Sequence, residues 1–162
     1  MKDKSLSRIV LIAIFAALAF VLGQFTKIPI PGGYFTLLDA GIFVTAMTLG
    51  KTSGAAVGAV AALFLDLLGF PAYAPFSFVI HGAQGFLGNL TRNKIVNYAL
   101  SAVVMVGGYF VADMVVVHSL GTAIPDLFFN GVQTTAGYVI ALIVAPLLKR
   151  TGVFDGFGTT EK

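Results

Sequence analysis

The chain has 162 residues, of which 57% are hydrophobic and only 10% carry a charge. It has no cysteine, which excludes disulfides, thiolate nucleophiles and cysteine-based metal sites. Its two histidines, His81 and His118, are too far apart for the HExxH spacing of a catalytic zinc site. This composition predicts a membrane protein that needs no cofactor and binds no metal ion, and no motif indicates an enzyme.

The first apolar segment, residues 6–25, is long enough to cross a membrane. At a rise of about 1.5 Å per residue, its 20 residues cover the roughly 30 Å hydrocarbon layer of a bilayer. The sequence Ala17-Leu18-Ala19 also fits the cleavage site of a secretory signal peptide. Since apolar segments recur to the end of the chain, we favour a membrane span.

A face of small residues lies within this first segment. Ala13 and Ala17 are one helical turn apart, with Ala16 beside them. Small side chains on one face of a membrane helix let another helix approach closely. From the residues alone, the alanines fit packing against the protein's own helices as well as contact with a partner.

Five further apolar segments follow, at residues 34–50, 53–70, 75–90, 95–117 and 124–148. If the six segments cross the membrane in turn, nine of the ten lysines and arginines fall on the side of the N-terminus, and Lys27 alone falls on the other. Because cytoplasmic loops are enriched in these residues, both termini are placed in the cytoplasm.

The sequence therefore predicts an all-α integral membrane protein with six transmembrane helices. Residues 1–150 form the membrane domain, and residues 151–162 are a glycine-rich tail that we expect to be disordered in the cytoplasm. The net charge of +3 lies at the helix ends and reflects topology, so that the expected surroundings are membrane lipid and not nucleic acid.

Gly50-Lys51-Thr52 resembles the end of a phosphate-binding loop. The full motif needs a glycine at position 45, which is occupied by Thr45, and a strand where this chain has an apolar helix. We therefore expect no nucleotide site. If the protein moves a solute across the membrane, it must therefore depend on an ATPase partner or on an ion gradient.

The first outer loop, residues 26–33, contains two prolines and two glycines. Flexible glycines next to rigid prolines suit a hinged lid over a pocket, and we assign this role to Pro31, Gly32, Gly33 and Tyr34. A passive connector is the alternative. In that case the second outer loop, residues 70–76, is the more plausible gate.

Polar side chains inside the later segments mark a candidate binding site, because such groups are costly in a bilayer and typically line cavities. With the predicted topology they collect in the outer half of the membrane. Asp39 and Asp126 also fit a role at helix ends. No nucleophile–base pair is evident, so we expect binding of a small polar ring compound and no bond chemistry. The candidate ligand contacts are Asp66, His81, Gln84, Tyr109, Asp113, Asn130, Gln133 and Thr134.

The whole pattern resembles the substrate-binding S component of an energy-coupling-factor (ECF) vitamin transporter. The resemblance rests on the length, the six segments, the alanine face, the first outer loop, and the block from Asp39-Ala-Gly-Ile-Phe to Gly85-Phe-Leu-Gly-Asn89. It implies capture of a small vitamin outside the cell. It also implies docking of Ala13, Ala16 and Ala17 on a transmembrane coupling subunit, which acts with two cytoplasmic ATPases.

Within this family the chain is most similar to members for hydroxymethylpyrimidine, pyridoxine or related precursors, and less similar to those for pantothenate or riboflavin. A proton-coupled carrier that uses Asp66 or Asp113 as a relay is the alternative from another class, but no inverted repeat supports it. A membrane-embedded enzyme is a weaker alternative, because the chain has no activated nucleophile.

Overall fold

The computed structural model describes residues 4–30 and 33–154. This part of the chain forms six α-helices, as predicted, together with one short β-hairpin. The hairpin strands are β1 (Ile28–Ile30) and β2 (Gly33–Phe35), and a 3-10 turn, Pro71–Tyr73, precedes the fourth helix. The helices are α1 (Lys4–Phe25), α2 (Leu38–Leu49), α3 (Lys51–Leu68), α4 (Ala74–Leu87), α5 (Lys94–Val116) and α6 (Leu120–Arg150).

Four of the helices, α1, α3, α5 and α6, are long and apolar enough to cross a membrane. Helices α2 and α4 have 12 and 14 residues, which at about 1.5 Å per residue is less than the thickness of the hydrocarbon layer. The hairpin precedes α2 and the 3-10 turn precedes α4. The two short helices therefore leave space in the outer half of the bundle, and the hairpin and the turn lie over this space.

The second and sixth helices begin at other residues than the sequence predicted. Residues 33–35 pair with residues 28–30 as an antiparallel strand, so that α2 starts at Leu38 and not at residue 34. Helix α6 starts at Leu120 and not at residue 124, and it continues through Pro125. A proline in the second turn removes only one hydrogen bond near the helix end, which explains why the helix is not broken there.

Small residues on α3 and α4 bring these two helices into close contact. A Cβ atom at Gly58 would collide with the backbone carbonyl of His81, and one at Gly85 would collide with the backbone of Gly54. Only glycine permits this separation of the two helices. The close crossing also brings Ser77 of α4 into contact with Asp66 of α3.

Helix α2 is the centre of the bundle, since 11 of its 12 residues are buried. At the cytoplasmic end, the guanidinium of Arg8 donates to the hydroxyls of Thr52 and Ser53 at 3.1 and 3.2 Å. After α6, Phe154 is buried, and its ring centroid is 6.0 Å from that of Phe15. Residues 155–162 of the proposed tail lie outside the described residues, and their disorder stays a prediction.

Candidate ligand-binding cavity

A cavity of about 50 Å³ lies under the hairpin, between the outer ends of the helices. It is smaller than the roughly 300–1,000 Å³ of pockets for drug-sized ligands, so that a ligand enters only if the covering segments move. Apolar side chains such as Leu65, Phe70 and Met105 form part of its wall. The polar residues that line it are Tyr34, Thr36, Asp66, Tyr73, His81, Tyr109, Asp126, Asn130 and Gln133.

The structure brings all eight predicted contact residues to one region but divides them into two layers. Five of them line the cavity: Asp66, His81, Tyr109, Asn130 and Gln133. The other three, Gln84, Asp113 and Thr134, are fully buried behind it and bond to other protein groups. They support the wall of the cavity and do not form its surface.

The carboxylate of Asp39 organises the inner layer. It is fully buried in the first turn of α2 and accepts hydrogen bonds from the side-chain amides of Gln84 at 2.8 Å and Gln133 at 3.2 Å. The hydroxyl of Thr134 lies 3.4 Å from the same carboxylate, and Nδ1 of His81 lies 3.5 Å from it. Four polar side chains thus compensate one buried charge.

A chain of hydrogen bonds runs from this layer along the cavity wall. Nδ1 of His81 contacts Oε1 of Gln84 at 2.9 Å, and Nε2 of His81 contacts the hydroxyl of Tyr109 at 3.1 Å. The Tyr109 hydroxyl is 2.5 Å from Oγ of Ser77, which also contacts the carboxyl group of Asp66. Side chains from α3, α4 and α5 are therefore linked into one network.

The carboxyl groups of Asp113 and Asp126 lie together near the outer end of the bundle. The hydroxyl of Tyr73, on the 3-10 turn, donates to Oδ1 of Asp113 at 2.7 Å, and the side chain of Asp126 interacts with that of Asp113. Burial, followed by the hydrogen bond to Asp113, raises the pKa of Tyr73, so that this phenol stays a neutral donor. Among the described residues, no group of three histidines and acidic residues could hold a metal ion.

The cover of the cavity combines the two outer loops that the sequence offered as alternatives. The ring of Tyr34 packs against that of Phe70 with centroids 5.1 Å apart, and Nζ of Lys27 lies 4.7 Å from the centroid of the Tyr34 ring. Gly33 and Tyr34 line the cavity. Pro31 and Gly32, the other two residues assigned to the lid, lie outside the described residues.

The alanine face of α1 opens onto an apolar groove on the other side of α3. Ala13 and Ala17 are exposed, whereas Ala16 is only 7% exposed and packs into the core. The groove measures about 540 Å³ and is lined almost entirely by apolar side chains. Its lining residues are Ala13, Ala16, Ala17, Phe20, Val60, Ala61, Phe64, Leu67 and Leu68.

Several residues of the site were not among the predicted contacts. Ser77 precedes His81 by four residues and so lies on the same face of α4, which is a signal that could have revealed it. The sequence placed the carboxyl groups of Asp39 and Asp126 near the ends of predicted spans. It did not show whether they belong to the site or only to the helix ends. Nothing in the sequence indicated that Tyr73 would bond to Asp113.

Comparison with known proteins gives consistent matches over nearly the whole chain. The sequence model of the family described as "ECF-type riboflavin transporter, S component" matches residues 3–150. A "Thiamine precursor transporter HmpT" from Lactococcus lactis subsp. cremoris (strain MG1363) is 45% identical over 161 residues, which are 97% of this chain and 96% of the relative.

Two further matches are more distant. An "Uncharacterized protein in gap 3'region" from Pyrococcus woesei is 30% identical over 133 residues, or 76% of this chain and 89% of that protein. A solved structure described as "Structure and mechanism of the S component of a bacterial ECF transporter" superimposes with a TM-score of 0.75 and 18% identity, covering 92% of this chain and 99% of that one. At that identity the superposition shows a shared fold.

The family match covers more than half of the chain, and the Lactococcus relative is aligned over nearly its full length. Both agree with the membrane helices and with the family resemblance that the sequence suggested. This chain is therefore a multi-pass membrane protein that belongs to the family of S components of ECF-type transporters.

Proposed function

We propose that this S component captures a single-ring vitamin precursor from outside the cell, with hydroxymethylpyrimidine as the favoured ligand. The observation that carries the proposal is the small outer cavity, closed by Tyr34 and Phe70 and lined by amide, hydroxyl and carboxyl groups. The name of the 45% identical relative, a thiamine precursor transporter, supports the same chemical class.

Size and charge favour this ligand over the alternatives in the family. Riboflavin has three fused rings, so that the cavity of about 50 Å³ would have to enlarge far more for it than for a single-ring compound. Pantothenate is an anion, and it would face the carboxyl groups of Asp66 and Asp126 on the cavity wall. Pyridoxine is a single ring of similar size and is the second candidate.

The partners follow from the family and from the groove. Exposed Ala13 and Ala17 leave an apolar groove beside α3 that a hydrophobic helix of a transmembrane coupling subunit could fill. The chain has no nucleotide motif of its own, so two cytoplasmic ATPases would supply the energy. The protein itself is then a binding subunit with no enzymatic activity.

Ligand binding by the purified protein tests the first part of the proposal. Because a ligand that binds only the folded state raises its apparent stability, hydroxymethylpyrimidine should raise the melting temperature more than pyridoxine, and riboflavin and pantothenate should leave it unchanged. A larger shift with riboflavin or pantothenate would contradict the proposed ligand class.

Uptake in proteoliposomes tests the second part. The chain alone should not accumulate ligand under a proton gradient, whereas the chain together with a coupling subunit and ATPases should accumulate it when ATP is supplied. Gradient-driven uptake by the chain alone would favour the proton-coupled carrier, with Asp66 or Asp113 as its relay.

A further inference from the structure

We infer that Asp66 is the specificity-determining residue of the cavity, and that it accepts a hydrogen bond from an amino group on the ligand ring while Asn130 binds a ring nitrogen. The inference rests on the proposed function, because it names the part of a single-ring ligand that the site distinguishes. It predicts a 4-aminopyrimidine edge as the recognised feature.

The first step is to find which polar groups of the wall are still available. His81 and Tyr109 bond to each other. The NH₂ group of Gln133 donates to Asp39, and its carbonyl oxygen accepts from the backbone amide of Thr36. By contrast, the side-chain amide of Asn130 and Oδ1 of Asp66 make no hydrogen bond to the part of the chain that the structure describes. Both residues line the cavity, so we place their free groups toward the ligand.

The second step is the direction of the hydrogen bonds along the wall. Gln84 donates its NH₂ group to the carboxylate of Asp39, so its carbonyl faces His81, and Nδ1 of His81 must carry a proton. Each remaining contact between His81, Tyr109, Ser77 and Asp66 needs one proton between its two atoms. If the hydroxyls of Tyr109 and Ser77 both donate within this series of contacts, two arrangements satisfy all of them.

In the first arrangement Nε2 of His81 is protonated, and the bonds run from His81 through Tyr109 and Ser77 to an ionised Asp66. In the second, Nε2 is bare, the bonds run the other way, and Oδ2 of Asp66 carries a proton that it donates to Ser77. Oδ1 of Asp66 is an acceptor in both arrangements. The ligand group that faces Asp66 must therefore be a donor.

The third step is the choice of donor. A ring amino group donates but does not accept, because its lone pair is delocalised into the ring, and it therefore matches an acceptor such as Oδ1. The outer cation, Lys27, attracts the carboxyl group of Asp66 electrostatically, but its Nζ lies 4.7 Å from the centroid of the Tyr34 ring, so that it leaves Oδ1 of Asp66 open to a ligand donor. The amide of Asn130 can donate to a ring nitrogen, which every pyrimidine or pyridine offers.

The experiment compares two ligands and four proteins. The ligands are 4-amino-5-hydroxymethyl-2-methylpyrimidine and the analogue with a methyl group in place of the amine, which has almost the same shape but no N–H donor. Calorimetry gives both dissociation constants for the unchanged protein, Asp66→Ala, Asn130→Ala and Leu65→Ala. The ratio of the two constants is the diagnostic quantity, because it cancels effects common to both ligands.

The unchanged protein should bind the amine about ten- to a hundredfold more tightly than the methyl analogue, because the analogue leaves a buried acceptor without its hydrogen bond. Asp66→Ala should bring this ratio close to one. Asn130→Ala should weaken both ligands about tenfold and keep the ratio. Leu65→Ala, which alters the apolar wall one residue before Asp66, should also keep it.

Three results would overturn the inference. The first is equal affinity of the unchanged protein for both ligands, which leaves the proposed function intact. The second is a ratio that survives Asp66→Ala, and the third is a ratio that collapses in Asn130→Ala instead. If Asp66→Ala does not fold, Asp66→Leu fills the space without an acceptor and should give the same loss. Failure of the unchanged protein to bind either pyrimidine would contradict the proposed function itself.

Discussion

The side-chain carbonyl of Gln133 accepts a hydrogen bond of 2.7 Å from the backbone amide of Thr36. Thr36 directly follows strand β2, so this bond ties the hairpin that covers the cavity to helix α6. The amide nitrogen of the same Gln133 donates to the buried carboxylate of Asp39. Gln133 therefore joins the cover of the cavity to the network behind it, and it acts on the ligand by positioning both.

This position predicts how Gln133→Ala affects binding. Loss of the side chain leaves the buried backbone amide of Thr36 without a partner and removes one of the hydrogen bonds to the carboxylate of Asp39, at a cost of about 1–3 kcal/mol. We expect roughly tenfold weaker binding, and a faster dissociation because the cover opens more easily. Stopped-flow displacement measures this rate. Gln24→Ala, which removes an exposed glutamine of α1, is the matched control and should leave it unchanged.

The hairpin is predicted to become less accessible when ligand binds. A side chain at Gly33 meets no atom within 4 Å, so that Gly33→Cys should fold normally in this cysteine-free chain. Its reaction with a membrane-impermeant maleimide should be slower in the presence of saturating hydroxymethylpyrimidine. Gly121→Cys, at the exposed start of α6, should react at the same rate with and without ligand. If ligand slows the maleimide reaction of both cysteines equally, or of neither, the hairpin is a connector and not a lid.

The groove beside α1 predicts a separation of binding from transport. Ala13→Trp or Ala17→Trp should fill the groove and abolish ATP-dependent uptake, while the ligand affinity of the purified variant stays the same. Ile14→Trp is the control, because Ile14 is 48% exposed but does not line the groove. Loss of ligand affinity in the two alanine variants would mean that these residues serve internal packing and not docking.

Ala16 should respond differently from its two neighbours. It is 7% exposed and packs into the core with Ala19 and Leu38, so that Ala16→Trp should lower the melting temperature and the yield of folded protein by overpacking. A folded Ala16→Trp variant with a normal melting temperature that lacks only uptake would instead place Ala16 on the docking face.

Substitution by alanine should have opposite effects at Gly58, where α3 and α4 cross, and at Gly107, which lies on α5 away from the crossing. Gly58→Ala forces a Cβ atom against the backbone carbonyl of His81, which must separate the helices and displace the cavity wall. We expect a lower melting temperature and weaker ligand binding. Gly107→Ala meets nothing within 4 Å in the middle of α5, and should stabilise the helix by up to about 1 kcal/mol. Thermal unfolding with and without ligand distinguishes the two, and a stable Gly58→Ala variant would show that the crossing can relax.

The sequence by itself determined the membrane character, the number of helices and the face that each polar residue occupies. These properties follow from local quantities, namely hydropathy over about 20 residues, the 3.6-residue period and the side on which lysine and arginine collect. The same local rules found the exposed Ala13 and Ala17 and the polar face with His81 and Gln84. They fixed the ends of α2 and α6 less well, because strand pairing with residues 28–30 and the tolerance of Pro125 depend on context.

Only the tertiary structure decided which polar groups line the cavity and which bond to one another behind it. Asp39 and Gln84 are 45 residues apart in the chain and 2.8 Å apart in space, and no periodicity in either helix indicates this pair. The side chains of Gln84 and Thr134 bond to buried protein groups and Asp113 accepts from Tyr73, whereas Asp66 and Asn130 line the cavity. The sequence contains all the polar groups of the site, but contacts between helices decide which of them line the cavity and which lie behind it.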